Sequence, residues 1–210
     1  MLHGVHAIIS TYAFWLPNDP RGAWSDFVRS WELARLGKAT KVTTRKSVAA
    51  VPHNARERRA AKDQLKYPEV ALSGRQARAV GHGFQQAVKE SSYRVHACSL
   101  LPQHIHLVMA PHERDIWRAI GHFKARATQQ LTLEGLHPLA NHRDKNGNIP
   151  SPWARKGWVV YIFSEDHLRK AIQYTVDNPL KEGKPRQHWS FVTPYDPQTT
   201  PHPTRGKPRR

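Results

Sequence analysis

Apolar residues recur along the chain in two rhythms, every second position and every third or fourth, and these divide it into strands and helices. Residues 2–14 are rich in β-branched and aromatic side chains and predict a first strand, with His3 and His6 as ordinary polar positions on it. The stretch from Trp15 to Gly22 ends that strand, because it holds two prolines, Asn18-Asp19 and a glycine. Ser73 is placed to cap a helix whose Ala77, Val80, Phe84, Ala87 and Val88 share one face, and which ends near Ser91-Ser92. Tyr93 to Leu101 predicts a second strand, Leu101-Pro102-Gln103 a tight connection, and His104 to Met109 a third strand. Ile116 to Leu133 predicts a second helix along Ile116, Ala119, Ile120, Phe123, Ala127 and Leu131. A loop over 134–156 leads to Trp158–Phe163, an apolar run suited to a buried strand. Ser164 then caps a last helix, with Glu165 and Asp166 where the helix dipole favours acids, and with Leu168, Ala171, Ile172 and Thr175 as its buried stripe. Pro179 is expected to end or kink this helix, since the residue before a proline is driven out of the helical region.

The resulting order is β, long insertion, α, β, β, α, β, α. Without the insertion and the last helix, this is an α+β pattern of the ferredoxin-like, split β-α-β kind: an antiparallel four-stranded sheet with helices on one face. One domain over 1–182 is expected, with an insertion over about 23–70. A basic, Pro-rich tail follows over 183–210, largely disordered.

The net charge of +17 changes the functional picture. With a pI near 10.5, it points to a polyanionic partner, nucleic acid first. No apolar run approaches the roughly 18 residues a spanning helix needs, so a membrane partner is not expected. Cys98 is the sole cysteine, which excludes an intrachain disulfide and a thiolate zinc cluster. A cytoplasmic, nucleoid-associated location fits. Between Arg35 and Lys66 there are ten Lys/Arg, including Arg45, Lys46, Arg58 and Arg59, against two acids, and Asn54 can cap a short helix through Leu65. This stretch reads equally as a solvated insertion or as a phosphate-contacting arm, with Trp24, Phe27 and Trp31 available for base stacking. Lys124 and Arg126 on the second helix are further candidate DNA contacts.

The candidate chemistry lies in Gln103-His104-Ile105-His106-Leu107-Val108-Met109. On a strand, residues i and i+2 point to one face, so His104 and His106 stand side by side while Ile105, Leu107 and Met109 face a core. Two imidazoles fixed on a strand are a ready pair of metal ligands. On the last helix, Tyr174 and Asn178 share a face with Lys170, beside the apolar stripe. A tyrosine off the buried stripe, with a cation one turn before it and an amide one turn after, is a candidate nucleophile.

Together these segments resemble a known family. Leu101-Pro102-Gln103-His104-Ile105-His106-Leu107-Val108 resembles the HUH motif (His, hydrophobic, His) of the single-tyrosine transposases. Tyr174-Thr175-Val176-Asp177-Asn178-Pro179 resembles the Tyr-x-x-x-Asn-Pro signature of the REP-associated tyrosine transposase branch. Ser10-Thr11-Tyr12 through Leu16-Pro17-Asn18-Asp19-Pro20-Arg21-Gly22 is similar to the opening of some members. The resemblance covers about residues 4–182; the basic insertion and the tail depart from it. It implies that His104, His106 and Asn178 bind one Mg²⁺ or Mn²⁺ ion, and that Tyr174 attacks a scissile phosphate to leave a 5′-phosphotyrosine link. Lys170 would then be the local cation assisting the phenol. It also implies a homodimer acting on single-stranded DNA beside an imperfect hairpin.

Other readings remain open. A histidine-triad hydrolase would need a third alternating His where Val108 stands. A two-histidine phosphodiesterase would need a second His-x-Thr/Ser motif, and no good pair is present. A non-catalytic, host-retained single-stranded nucleic-acid-binding protein would carry the same basic surface. A purely structural zinc at His104 and His106 would make folding metal-dependent.

Overall fold

A computed structural model describes residues 1–23, 26–28, 31–43, 48 and 51–197. Trp24, Arg45 and Lys46 lie outside the described residues. The elements are β1 (Gly4–Ser10), α1 (Trp31–Ala34), α2 (Ala55–Asp63), α3 (Gly74–Ser91), β2 (Val95–Leu100), β3 (His104–Met109), α4 (Ile116–Leu133), β4 (Trp158–Ile162) and α5 (Glu165–Lys181). The four strands form one open antiparallel sheet in the order β2-β3-β1-β4, in a mixed α+β fold. β1 and β3 are the central pair, with Ile8 opposite His106 and Ser10 opposite His104.

The alternation of each strand sorts its side chains onto two faces. Val5, Ala7 and Ile9 of β1 and Ile105, Leu107 and Met109 of β3 build the main core with α3 and α4. Those helices pack closely because Gly83 of α3 lies against the backbone of Ala127 on α4, and the Phe84 and Phe123 rings meet at 4.9 Å. The start of α3 is locally encoded. The Ser73 hydroxyl accepts from the Gln76 N–H, and the Gln76 side chain accepts from the Ser73 N–H.

The opposite face is the one that carries His104 and His106. Its apolar positions, Ala97, Val108 and Ile162, are covered by Leu168 and Ala171 of α5. α3 and α4 therefore share one face, and the extra helix α5 covers the other, because this second face has an apolar strip of its own to bury. Pro179 does not stop α5, which continues to Lys181. Pro179 is buried in the last turn, where packing offsets the single hydrogen bond that a proline omits.

The described part of the insertion is anchored. Asn54 caps α2 by accepting from the Arg56 and Glu57 N–H groups, and Ala61 packs with Ala13 and Leu16. Beyond α5, residues 187–193 run along the β2 edge. The Gln187 amide pairs with both the N–H and the carbonyl of Leu100, and the Thr193 N–H donates to Val95. No helix among the described residues is long and apolar enough to cross a membrane.

Candidate functional site

The site is built where α5 crosses the histidine-bearing face of the sheet. The His104 and His106 ring centroids are 5.1 Å apart, and Tyr174 of α5 lies edge-on to His106 at 5.4 Å. Tyr174 remains 40% exposed. One turn later Asn178 is 5% exposed, and its buried Nδ2 has no hydrogen-bond partner. The end of α5 thus dips toward the strands, taking Asn178 inward and leaving Tyr174 half open to solvent.

A third histidine joins them. His6 of β1 and His106 share a hydrogen bond, Nε2 to Nδ1, at 2.9 Å, and the His6 ring is 6.1 Å from that of Tyr174. The sequence assigned His6 an ordinary polar place. Only the β1–β3 register brings it here, and no local pattern announces a register between residues 100 positions apart. Burial lowers the His6 pKa to about 4, with His167 adding to the effect. Burial, followed by His6, His104 and Lys181, lowers that of His106 to about 2. His104 is lowered as well, again by burial, against a smaller opposing pull from Glu182. All three imidazoles are therefore neutral at pH 7, the form that offers a nitrogen lone pair.

The cation beside the tyrosine is Lys181, whose Nζ stands 3.8 Å from the Tyr174 ring centroid. Lys170 is 75% exposed and paired with Asp166 at 2.7 Å, one turn earlier. Burial raises the pKa of the Tyr174 phenol above its usual value. Phe14, from the turn after β1, stacks on His104 with centroids 5.2 Å apart and planes at 12°.

Several basic residues singled out from the sequence are engaged within the protein. Lys124 donates to the Ala154 carbonyl at 2.8 Å, and burial lowers its pKa to about 8. Arg126 pairs with Glu90 at 2.7 Å. The Arg58 Nε is 3.5 Å from Asp19. Arg59 is exposed.

The donor types allow a hard divalent ion as well as zinc. Among the described residues no three His, Cys, Asp or Glu side chains gather as a metal site, which leaves Asn178 as the candidate for a third protein donor. Asn178, one turn after Tyr174, has a buried amide nitrogen without a partner, and a flip of the amide would put its carbonyl oxygen in that place. Two imidazoles and an amide oxygen, without thiolate, suit Mg²⁺ or Mn²⁺.

No protein-family model and no curated protein matches the chain. A solved structure described as the REP-associated tyrosine transposase bound to a REP hairpin is similar to it at 18% identity, with a TM-score of 0.42 over 57% of this chain. The chain spans 64% of that protein's chain, under two thirds of its length.

Proposed function

We propose that this protein is a metal-dependent single-stranded DNA endonuclease and strand transferase of the HUH tyrosine transposase type, working as a homodimer on hairpin-bearing DNA. The strand order fits the split β-α-β architecture that this reading requires. The observation that carries it is the convergence of Tyr174 with His106, 68 residues earlier in sequence, over the sheet face that also bears His104. His104, His106 and Asn178 would hold the Mg²⁺ or Mn²⁺ ion. Such an ion, when bound, polarises a phosphate and stabilises the charge that develops on it.

The chain's own residues do the rest. His6 pairs with His106 Nδ1, which fixes the orientation of that ring and reserves Nε2 as the free lone pair when Nδ1 carries the proton. Tyr174 Oη attacks the phosphorus: the Oη–P bond forms, the P–O3′ bond breaks, the phenol gives up its proton and the departing 3′-oxygen gains one. Lys181 supplies positive charge beside the ring, opposing the burial that disfavours the phenolate. The phosphotyrosine retains the energy of the broken bond for rejoining to another 3′-hydroxyl. One nucleophile per chain calls for two chains to move a segment with two ends.

A second reading is a non-catalytic single-stranded nucleic-acid-binding protein on the same fold, which the net charge of +17 would serve equally. Labelling each end of a hairpin-bearing oligonucleotide separates the two. With Mn²⁺ present, a 3′ label should become protein-linked while a 5′ label is released as a shorter strand ending in a 3′-hydroxyl. Retention of both labels on uncut DNA supports the binding protein instead.

A further inference from the structure

The turn after β1, from Thr11 to Gly22, carries more buried polar structure than a connection needs. Asp19 is fully buried, and Arg21 grips it through Nε to Oδ1 and Nη2 to Oδ2, each at 3.0 Å. The same Nη2 donates to the Phe14 carbonyl at 3.3 Å. The Arg21 guanidinium lies 4.3 Å from the Trp15 ring centroid and 5.7 Å from that of Phe14. The other end of the turn is tied to the strand that bears the histidines. Thr11 donates its N–H to the Gln103 carbonyl at 2.9 Å, and its hydroxyl lies 2.7 Å from the Val70 carbonyl and 3.0 Å from that of Gln103. Between these anchors Ala13 is held at φ +67°, a left-handed conformation that costs a residue with a Cβ. Gly22, at φ +99°, closes the Asp19 turn at a position where a Cβ would run into Val42.

Strain of this kind persists only where the surroundings over-determine it. What the strained turn delivers is the Phe14 ring, laid nearly parallel on the His104 imidazole. We propose that residues 11–22 are a clamp in which the buried Asp19–Arg21 pair holds Phe14 against His104 and so fixes the plane of that imidazole for metal binding. Phe14, Arg21 and Asp19 are positioning residues, because they act through the His104 ring. A forked guanidinium suits this task, because it can hold a carboxylate, a carbonyl and an aromatic face together. The metal half of the inference rests on the reading above; the clamp itself does not.

The test uses the full chain. Histidine ring NMR spectra in EDTA, assigned with His104→Gln, should find the His104 ring protons shifted upfield by the stacked phenyl ring. Phe14→Leu should remove that shift, Phe14→Tyr should restore it, and Arg21→Lys should weaken it, so the answer does not hang on one variant folding. Mn²⁺ titrated alone should bind Phe14→Leu about 10- to 100-fold more weakly than wild type, with Phe14→Tyr recovering most of the loss. His104 resonances that are unshifted in wild type, or identical in Phe14→Leu, overturn the clamp, and Mn²⁺ affinity unchanged within about twofold overturns its role in metal binding. Wild type that binds no Mn²⁺ overturns the metal reading, while the resonances still decide the clamp.

Discussion

The Lys181 ammonium stands 3.8 Å from the centroid of the Tyr174 ring, whereas Lys170 is turned into solvent and paired with Asp166. The two lysines should therefore behave differently. Lys181→Met is expected to slow formation of the tyrosine–DNA adduct about tenfold, the effect of about one pKa unit from a nearby charge. Lys170→Met should leave the rate within about twofold, because exposed i,i+4 pairs contribute little. Single-turnover adduct formation measures both.

His6 is a support for His106. His6→Ala would leave His106 Nδ1 buried without its partner, costing about 1–3 kcal/mol of stability. Mn²⁺ affinity should fall about 10- to 100-fold if the pairing sets the metal-binding nitrogen. Chelation itself should abolish cleavage without unfolding the protein, since the main core contains none of the metal donors. Far-ultraviolet circular dichroism with and without EDTA checks this, and unfolding on chelation would favour the structural-zinc reading.

Lys124 provides a pH signature. Burial places its folded pKa near 8, below the ordinary lysine value near 10.4. Between these values the unfolded chain binds more protons than the folded one, so stability should rise with pH across that window. Below pH 8 the buried charge is a constant cost. Lys124→Met should remove the rise, as read by urea midpoints from pH 7.5 to 10.5. It should also change DNA affinity little, because the amine is already committed to Ala154.

Two glycines separate packing from propensity. A Cβ at Gly83 would lie 2.5 Å from the Arg126 carbonyl oxygen and 2.6 Å from Ala127 Cα, so Gly83→Ala should push α3 from α4 and cost about 1–3 kcal/mol. Gly121 on α4 faces open space, and Gly121→Ala should add about 0.5–1 kcal/mol. Thermal melts of the two variants should move in opposite directions.

Much of this arrangement is written locally. His104 and His106 alternate with Ile105 and Leu107 in an otherwise apolar run, so the two faces of that strand are legible. Ser73, Ser164 and the apolar stripe of 116–133 mark the helices through capping and period. What escaped depends on tertiary context. The expectation that Pro179 would end α5 removed Lys181 from the helix, and with it the cation two turns beyond Tyr174 on the same face. His6 needed a strand register, and the stacking of Phe14 on His104 needed the path of a turn with a left-handed alanine, which composition does not specify. Charge counting also could not show that Lys124, Arg126 and Arg58 have partners within the chain.

The most direct test of the account is a denaturing gel of the protein incubated with hairpin-bearing single-stranded oligonucleotides from the flanks of its own gene. Lanes with Mn²⁺, with EDTA and with Tyr174→Phe suffice. The account predicts a covalent protein–DNA band in Mn²⁺ that is absent in EDTA and absent in Tyr174→Phe, while the variant still binds the DNA. A band of equal strength in Tyr174→Phe, or binding without any covalent product across the flanking sequences, would contradict it.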